Sequence, residues 1–224
     1  MLWDAQGRLK LRNLSETYNI PIASICLHTY WQISFASPEE PIRRKAVNVA
    51  RSATAIASEI GAKNLLIPLT QLSEVTSEKA RDLWIHGIRS CVKSAEDHEV
   101  AYALENVNKL FARTGEQLAS IVDEINSPYV KVYYDPAKRC SCKSKSIRGY
   151  SDPWKAYKPS AHQGSAWKAF GEGNMDLPSV LAALKDVEYD DWLILETPAT
   201  ENPIEAGLRN LCFLRGILSR LRMR

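Results

Sequence analysis

No stretch of this chain stays apolar for long. The longest such run, residues 64–69, is far short of the roughly 20 residues that a membrane helix needs. The opening Met1-Leu-Trp-Asp-Ala-Gln-Gly-Arg8 has no apolar signal core, which argues against secretion. An excess of one charge is also missing: 29 Lys and Arg stand against 26 Asp and Glu, a formal net charge of +3. Without a basic footprint, neither nucleic acid nor a membrane is an expected partner. Cysteine is sparse and odd in number: Cys26, Cys91, Cys140, Cys142 and Cys212. Scattered in this way, the thiols fit a reduced, cytoplasmic protein rather than a disulfide framework. Cys140-Ser-Cys142 looks like half of a metal clip, but no second half exists, so solvated thiols without function are the better reading. Histidine is scarce too, at four residues.

What is present is a 224-residue chain, 45% hydrophobic and 25% charged, enough for one domain with a sizeable core. Helical and strand patterns alternate. Residues 9–18 predict a helix and 20–28 a strand. Pro38-Glu-Glu-Pro41 opens a long helix to about residue 60, which Gly61 stops. Residues 64–69 predict the next strand. Thr76 or Ser77 caps a helix to about residue 97, with Glu78 in its positive first turn. A strand then ends at Glu105, Thr114 caps a helix to about residue 125, and a further strand ends at Asp135. After an irregular stretch come a helix over 177–185, a strand over 192–196 and a last helix over 203–221. Nearly continuous apolar strands in a βα repeat are buried on both faces, which predicts an α/β fold with a parallel sheet. Five strands are clear, fewer than the eight of a closed barrel of roughly 250 residues.

Three of these strands end on an acid: Glu105 in Val100-Ala-Tyr-Ala-Leu-Glu105, Asp135 in Val130-Lys-Val-Tyr-Tyr-Asp135 and Glu196 in Trp192-Leu-Ile-Leu-Glu196. Functional groups of parallel α/β sheets gather at the carboxyl ends of strands. Carboxylates converging there repel unless a cation or protons neutralise them. A divalent metal is the economical explanation; salt-bridged or solvated acids are the plainer one. Trp84, Trp192, Tyr133 and Tyr134 read as core packing rather than a sugar-stacking platform.

Several segments resemble the xylose isomerase-like TIM-barrel superfamily: Ile22-Ala-Ser-Ile-Cys-Leu-His28, the helix ending Glu59-Ile-Gly-Ala62, Leu104-Glu-Asn106, Tyr134-Asp-Pro-Ala137, Gly171-Glu-Gly-Asn-Met-Asp176 and Trp192-Leu-Ile-Leu-Glu-Thr197. The sugar-phosphate isomerase/epimerase branch is the nearest part, and the likeness runs from about residue 9 to 218. In that family a glutamate, an aspartate, a histidine and a glutamate hold one divalent metal (Mn, Mg, Co or Zn). Glu105, Asp135 and Glu196 match all but the histidine. The resemblance implies proton transfer beside a carbonyl. The metal would hold the substrate oxygens, and Glu105 and Glu196 would act as the acid/base pair. His28, ending an earlier strand, either touches the sugar or sugar phosphate or is a polar residue at the barrel rim with no role. Glu172, in the Gly171-Glu-Gly173 turn, either shapes the loop or lies near the active mouth. Homo-oligomers are common in the family.

Two departures stand out. The family's first β-α-β is absent, so the fold expected is an incomplete (β/α)8 TIM barrel, and we read the chain as truncated at its start. Residues 138–169 also show neither helical nor strand period. Codons consistent with 138–165, read one base later, yield NAVLAKAKASEDIRILGKRINRVHIKD, a helix and a Val-His-Ile-Lys-Asp strand of the family's kind. We therefore read 138–169 as a frameshifted, irregular segment, expected to be disordered. With it the histidine ligand is lost, and impaired activity is expected. His162 lies near the right place by count, but its flanks predict no strand. The alternatives are a non-catalytic remnant or sugar-binding protein and, less favoured, an abasic-site endonuclease, whose three-metal chemistry needs more histidines. His86 and His98 fall on a helix, away from strand ends.

Overall fold

The computed structural model describes residues 4–107, 110–136, 156–157, 162–163, 166–167, 170–171, 175–196 and 201–222. The chain divides into two compact units, Met1–Val132 and Tyr133–Arg224.

The first unit begins with α1 (Ala5–Tyr18), capped by Asp4, whose side chain accepts the Gly7 N–H. Then follow β1 (Ser24–Cys26), a 3-10 turn (His28–Trp31), α2 (Glu40–Glu59), β2 (Asn64–Pro68), α3 (Ser77–Arg89), α4 (Val92–His98), β3 (Ala101–Glu105), α5 (Gly115–Ile125) and the start of β4 (Val130–Tyr134). The strands lie in the order β1-β2-β3-β4. Ser24 pairs in parallel with Asn64, and Asn64 with Ala101. Every residue of β2 and β3 is buried, as continuous apolar strands require.

Local chemistry explains most boundaries. Thr76 accepts the Lys79 N–H at 3.3 Å, and Thr114 forms a capping box with Gln117, each supplying a partner to an otherwise orphaned helix N–H. Gly61 takes φ +82° just past α2, a conformation open to glycine. Asn19 and Asn126 do the same for α1 and α5.

Two predicted elements differ. The strand over 20–28 shortens to β1 because Pro21 has no N–H for a ladder and the chain tightens into the 3-10 turn beyond Leu27. The helix predicted over 77–97 breaks into α3 and α4. At the break the Ser90 hydroxyl donates to the Gly87 carbonyl at 2.7 Å, the back-bonding by which serine bends a helix.

The core of this unit holds an aromatic cluster. Ring centroids of Tyr30 and Phe35 are 5.3 Å apart, those of Phe35 and Trp84 5.1 Å, and those of Tyr30 and Trp84 5.8 Å. Their polar handles are satisfied. Tyr30 Oη donates to the Ala46 carbonyl at 2.7 Å, and Trp84 Nε1 donates to the Thr70 carbonyl at 2.7 Å. Burial pushes the Tyr30 phenol well above its ordinary pKa.

In the second unit, Tyr133 and Tyr134 of β4 pair in parallel with β5 (Ala156–Tyr157). β6 (His162–Gln163) pairs antiparallel with β7 (Ala166–Trp167). These short strands differ from the absence of strand predicted over 138–169. The rest of that segment lies outside the described residues, as do Cys140, Cys142 and Glu172, so the frameshift reading stays an expectation. Two helices complete the unit, α6 (Leu177–Asp186) and α7 (Pro203–Leu221). They bury Leu181, Leu184, Leu214 and Ile217. The predicted strand over 192–196 appears as isolated bridges at Leu193 and Glu196. Side chains claim the groups a ladder would use there: Trp192 N–H donates to Asp191 Oδ1 at 2.8 Å, and Tyr189 Oη donates to the Trp192 carbonyl at 2.7 Å. No helix of the described residues is long and apolar enough to cross a membrane.

Three glycines predict opposite outcomes for one substitution. A Cβ on Gly87 would meet Phe35 Cγ at 2.5 Å, so Gly87→Ala should lose about 1–3 kcal/mol through overpacking. Gly207 and Gly216, within α7, have open space at the same point, so alanine at either should gain about 0.5–1 kcal/mol. Urea unfolding of the three variants measures both signs. Asp176 caps α6 by accepting the Ser179 N–H at 3.1 Å and the Ser179 hydroxyl, and these bonds lower its pKa. Asp176→Ala should cost about 1 kcal/mol at neutral pH. A group with a depressed folded pKa stabilises above its unfolded pKa and loses that contribution as pH falls through the folded value. The cost should therefore fade as pH drops below the ordinary aspartate range.

Candidate functional site

Glu105 ends β3 and Asp135 follows β4, whereas Glu196 stands at an isolated bridge and His28 in a turn. β1 runs out at Cys26, and His28 opens the 3-10 turn as an exposed side chain. β2 ends at Pro68, opposite Glu105 in the register. The next residue, Leu69, donates its N–H to the Glu105 carbonyl at 3.1 Å. This fixes the β3 terminus, so the Glu105 side chain, 3% exposed, has a rigid backbone. The following Asn106 is fully buried.

In the second unit, β4 delivers Asp135, also fully buried. Glu196, half-buried, stands at the second of the two bridges beyond α6. The structure brings these two acids together: one carboxylate oxygen of Asp135 lies within 4.8 Å of one of Glu196. Two carboxyl groups so close, one wholly removed from water, favour a neutralising partner, whether a cation or a proton. Carboxylate oxygens at that spacing fit a divalent cation: Mg²⁺ and Mn²⁺ accept all-oxygen shells, and Zn²⁺ accepts carboxylates among its ligands.

A polar network holds the loops after β1 and β2 in the first unit. The Thr70 hydroxyl lies 2.8 Å from the Tyr30 carbonyl and 3.0 Å from the Ser34 hydroxyl. Ser34 Oγ also caps the Ala36 N–H at 3.0 Å. The loops after β1 and β2 are thus bonded to each other, and buried polar groups satisfied in this way rigidify a site.

Other predicted residues fall as follows. His86 lies within α3, and His98 ends α4 with Nδ1 2.9 Å from the Ser94 carbonyl. His162 contributes backbone to β6. Trp84, Tyr133 and Tyr134 are buried, as core packing requires, but Trp192 is 44% exposed. Little in the sequence pointed to Asn106, Ser34 or Thr70. Their one visible signal is position, directly after an apolar strand or in the turn that follows it.

Solved structures share this architecture. A D-tagatose 3-epimerase-like protein superposes with a TM-score of 0.77 over 98% of this chain and 85% of its own, at 20% identity. The D-allulose 3-epimerase from Methylomonas sp., solved with D-allulose, gives 0.72 over 90% and 72% at 23% identity. The IolI protein, solved with a bound zinc atom, gives 0.71 over 94% and 81% at 17% identity. At these identities the likeness is one of fold. The sequence itself goes further, because residues 1–215 match one family throughout: the chain belongs to the xylose isomerase-like TIM barrel family.

Proposed function

We propose that this chain is a metal-dependent isomerase or epimerase of a sugar or sugar phosphate, moving a proton on a carbon beside a carbonyl. The observation that carries this reading is the approach of Glu196 to the buried Asp135. Glu105 is assigned as the third ligand. It ends β3, as the family's first acidic ligand ends its strand in the resemblance drawn above. When bound, the ion (Mn, Mg, Co or Zn) supplies Lewis acidity toward the carbonyl and hydroxyl oxygens of the sugar.

The protein's own groups carry the proton. Glu105 and Glu196 serve as the acid/base pair: one carboxylate takes the proton from carbon, and the other returns one to the same or the adjacent carbon. Burial of Glu105 keeps competing water away from it. His28, at the end of β1, offers a hydrogen bond to a sugar hydroxyl. The sugar in the D-allulose 3-epimerase structure and the zinc in IolI support the same choice of ligand and metal. A cytoplasmic homo-oligomer that binds neither nucleic acid nor membrane belongs to this reading.

The family's fourth ligand, a histidine, has no counterpart among the described side chains. Its stretch falls within 138–169, where His162 is the one histidine. Turnover should therefore be weak, and restoring the family frame over 138–169 should raise it. A sugar-binding remnant is the second reading, favoured by that same gap.

Metal content and solvent-deuterium incorporation into D-allulose separate these readings. The unaltered chain should bind one divalent ion. Glu105→Gln, Asp135→Asn and Glu196→Gln should each weaken its hold by more than the roughly 10–100-fold that loss of an outer partner costs. Glu105→Gln and Glu196→Gln should also abolish deuterium exchange in the repaired chain. Sugar binding with neither metal nor exchange would establish the remnant, and two or three zincs per chain would point to a nuclease.

A further inference from the structure

Helix α7 has two apolar faces, and one of them is uncovered. Successive helix residues turn by about 100°, which puts Asn210, Leu214 and Ile217 on one side, all three buried. The other face holds Ile204, 74% exposed, Leu208, 57% exposed, the half-buried Leu211 and the exposed Cys212. These four fall within about 100° of one another. A single exposed apolar residue is ordinary, but a stripe along one helix face marks a contact.

The same uncovered face carries charge of opposite sign at its two ends. Glu205 stands in the first turn of α7. Arg215 is exposed on the same side, ten residues or about 15 Å further on. The Glu205 carboxylate accepts from Asn202 Nδ2 at 3.1 Å, a neutral partner that holds it at the helix start and leaves its charge unmatched. Arg209, four residues after Glu205, has the spacing for an ion pair within the helix. Yet among the described residues Glu205, Arg209 and Arg215 enter no ion pair.

A face with this pattern complements itself in one orientation. Laid antiparallel on a second copy, acid meets base at both ends and the apolar middles meet each other. Laid parallel, like charges coincide. With Glu205 opposite Arg215 of the second copy, the two-fold axis passes at the level of residue 210, and Leu208 faces Cys212 of the second copy. Such a contact is isologous and closes on itself. An anionic surface would suit the Arg215 end and repel the Glu205 end. The 19-residue helix is about 28 Å long and 10 Å wide, so one face offers about 300 Å². A standard interface takes roughly 800 Å² from each partner, so pairing through α7 is weak and reversible.

We propose that the uncovered face of α7 pairs two copies of this chain, antiparallel about a two-fold axis, with Leu208 and Cys212 at its centre and Glu205 of each copy against Arg215 of the other. This gives the oligomer of the proposed function a surface and does not depend on metal or sugar chemistry.

Sedimentation of the full chain tests it. The mass should rise from monomer toward dimer as concentration increases into the high micromolar range, and added salt should reverse the rise. Leu208→Asp should stay monomeric throughout, with unchanged circular dichroism. Glu205→Arg and Arg215→Glu should each weaken pairing by about tenfold or more, since each sets like charges opposite one another twice. An equimolar mixture of these two variants should pair again, because every facing couple is then of opposite sign. A variant weakened by misfolding would not be rescued in this way.

A chain that stays monomeric at every concentration overturns the proposal. So does a dimer indifferent to Leu208→Asp, or a mixture of the two charge-reversed chains that fails to pair. Capture of the monomer by phosphatidylserine vesicles, lost in Leu208→Asp, would assign the face to a membrane and overturn it as well. A chain that pairs through α7 but holds no metal keeps this surface and loses the isomerase assignment. A monomer that holds metal does the reverse.

Discussion

Strands buried on both faces can carry polar side chains only where they stop, and this constraint governs where the chain can do chemistry. β2 and β3 expose nothing along their length, because an unpaired polar atom inside them would forfeit its hydration. The first positions free of that rule lie just past the carboxyl ends. Glu105, Asn106, Thr70 and Asp135 occupy them. Parallel pairing in a fixed register sets the ends side by side, as Pro68 opposite Glu105 illustrates. The sheet acts as a ruler, and the polar groups sit at its graduations.

The two kinds of polar group at these ends are satisfied in different ways. Thr70, Ser34 and Tyr30 close on one another and on Trp84 through neutral hydrogen bonds, so they brace the loops. The carboxylates differ in kind, since ionised acids accept and do not donate. Bracing and reactive groups thus divide by chemical type.

Much of this was legible in the sequence. The apolar runs ending at Glu105 and Asp135 gave β3 and β4, because both faces of each are buried and no competing pattern intrudes. Thr76, Thr114 and Gly61 marked helix ends through side-chain capping or a positive φ, effects local enough to read from one or two residues. The misses share a cause. The break after Arg89 depends on Ser90 bonding its own helix, a choice serine makes at some sites and not others. The bridges at Leu193 and Glu196 replace a strand because Tyr189 and Asp191 hold Trp192. The exposure of Trp31, between buried Tyr30 and Phe35, follows from a turn whose phase the sequence did not reveal.

The contact of Phe35 with Gly87 has a bearing on motion. An aromatic ring lying on helix backbone cannot move toward α3, because main-chain atoms, unlike a side chain, cannot turn aside. The loop that carries Phe35 is therefore braced on that side, and substitution of Gly87 is felt there first.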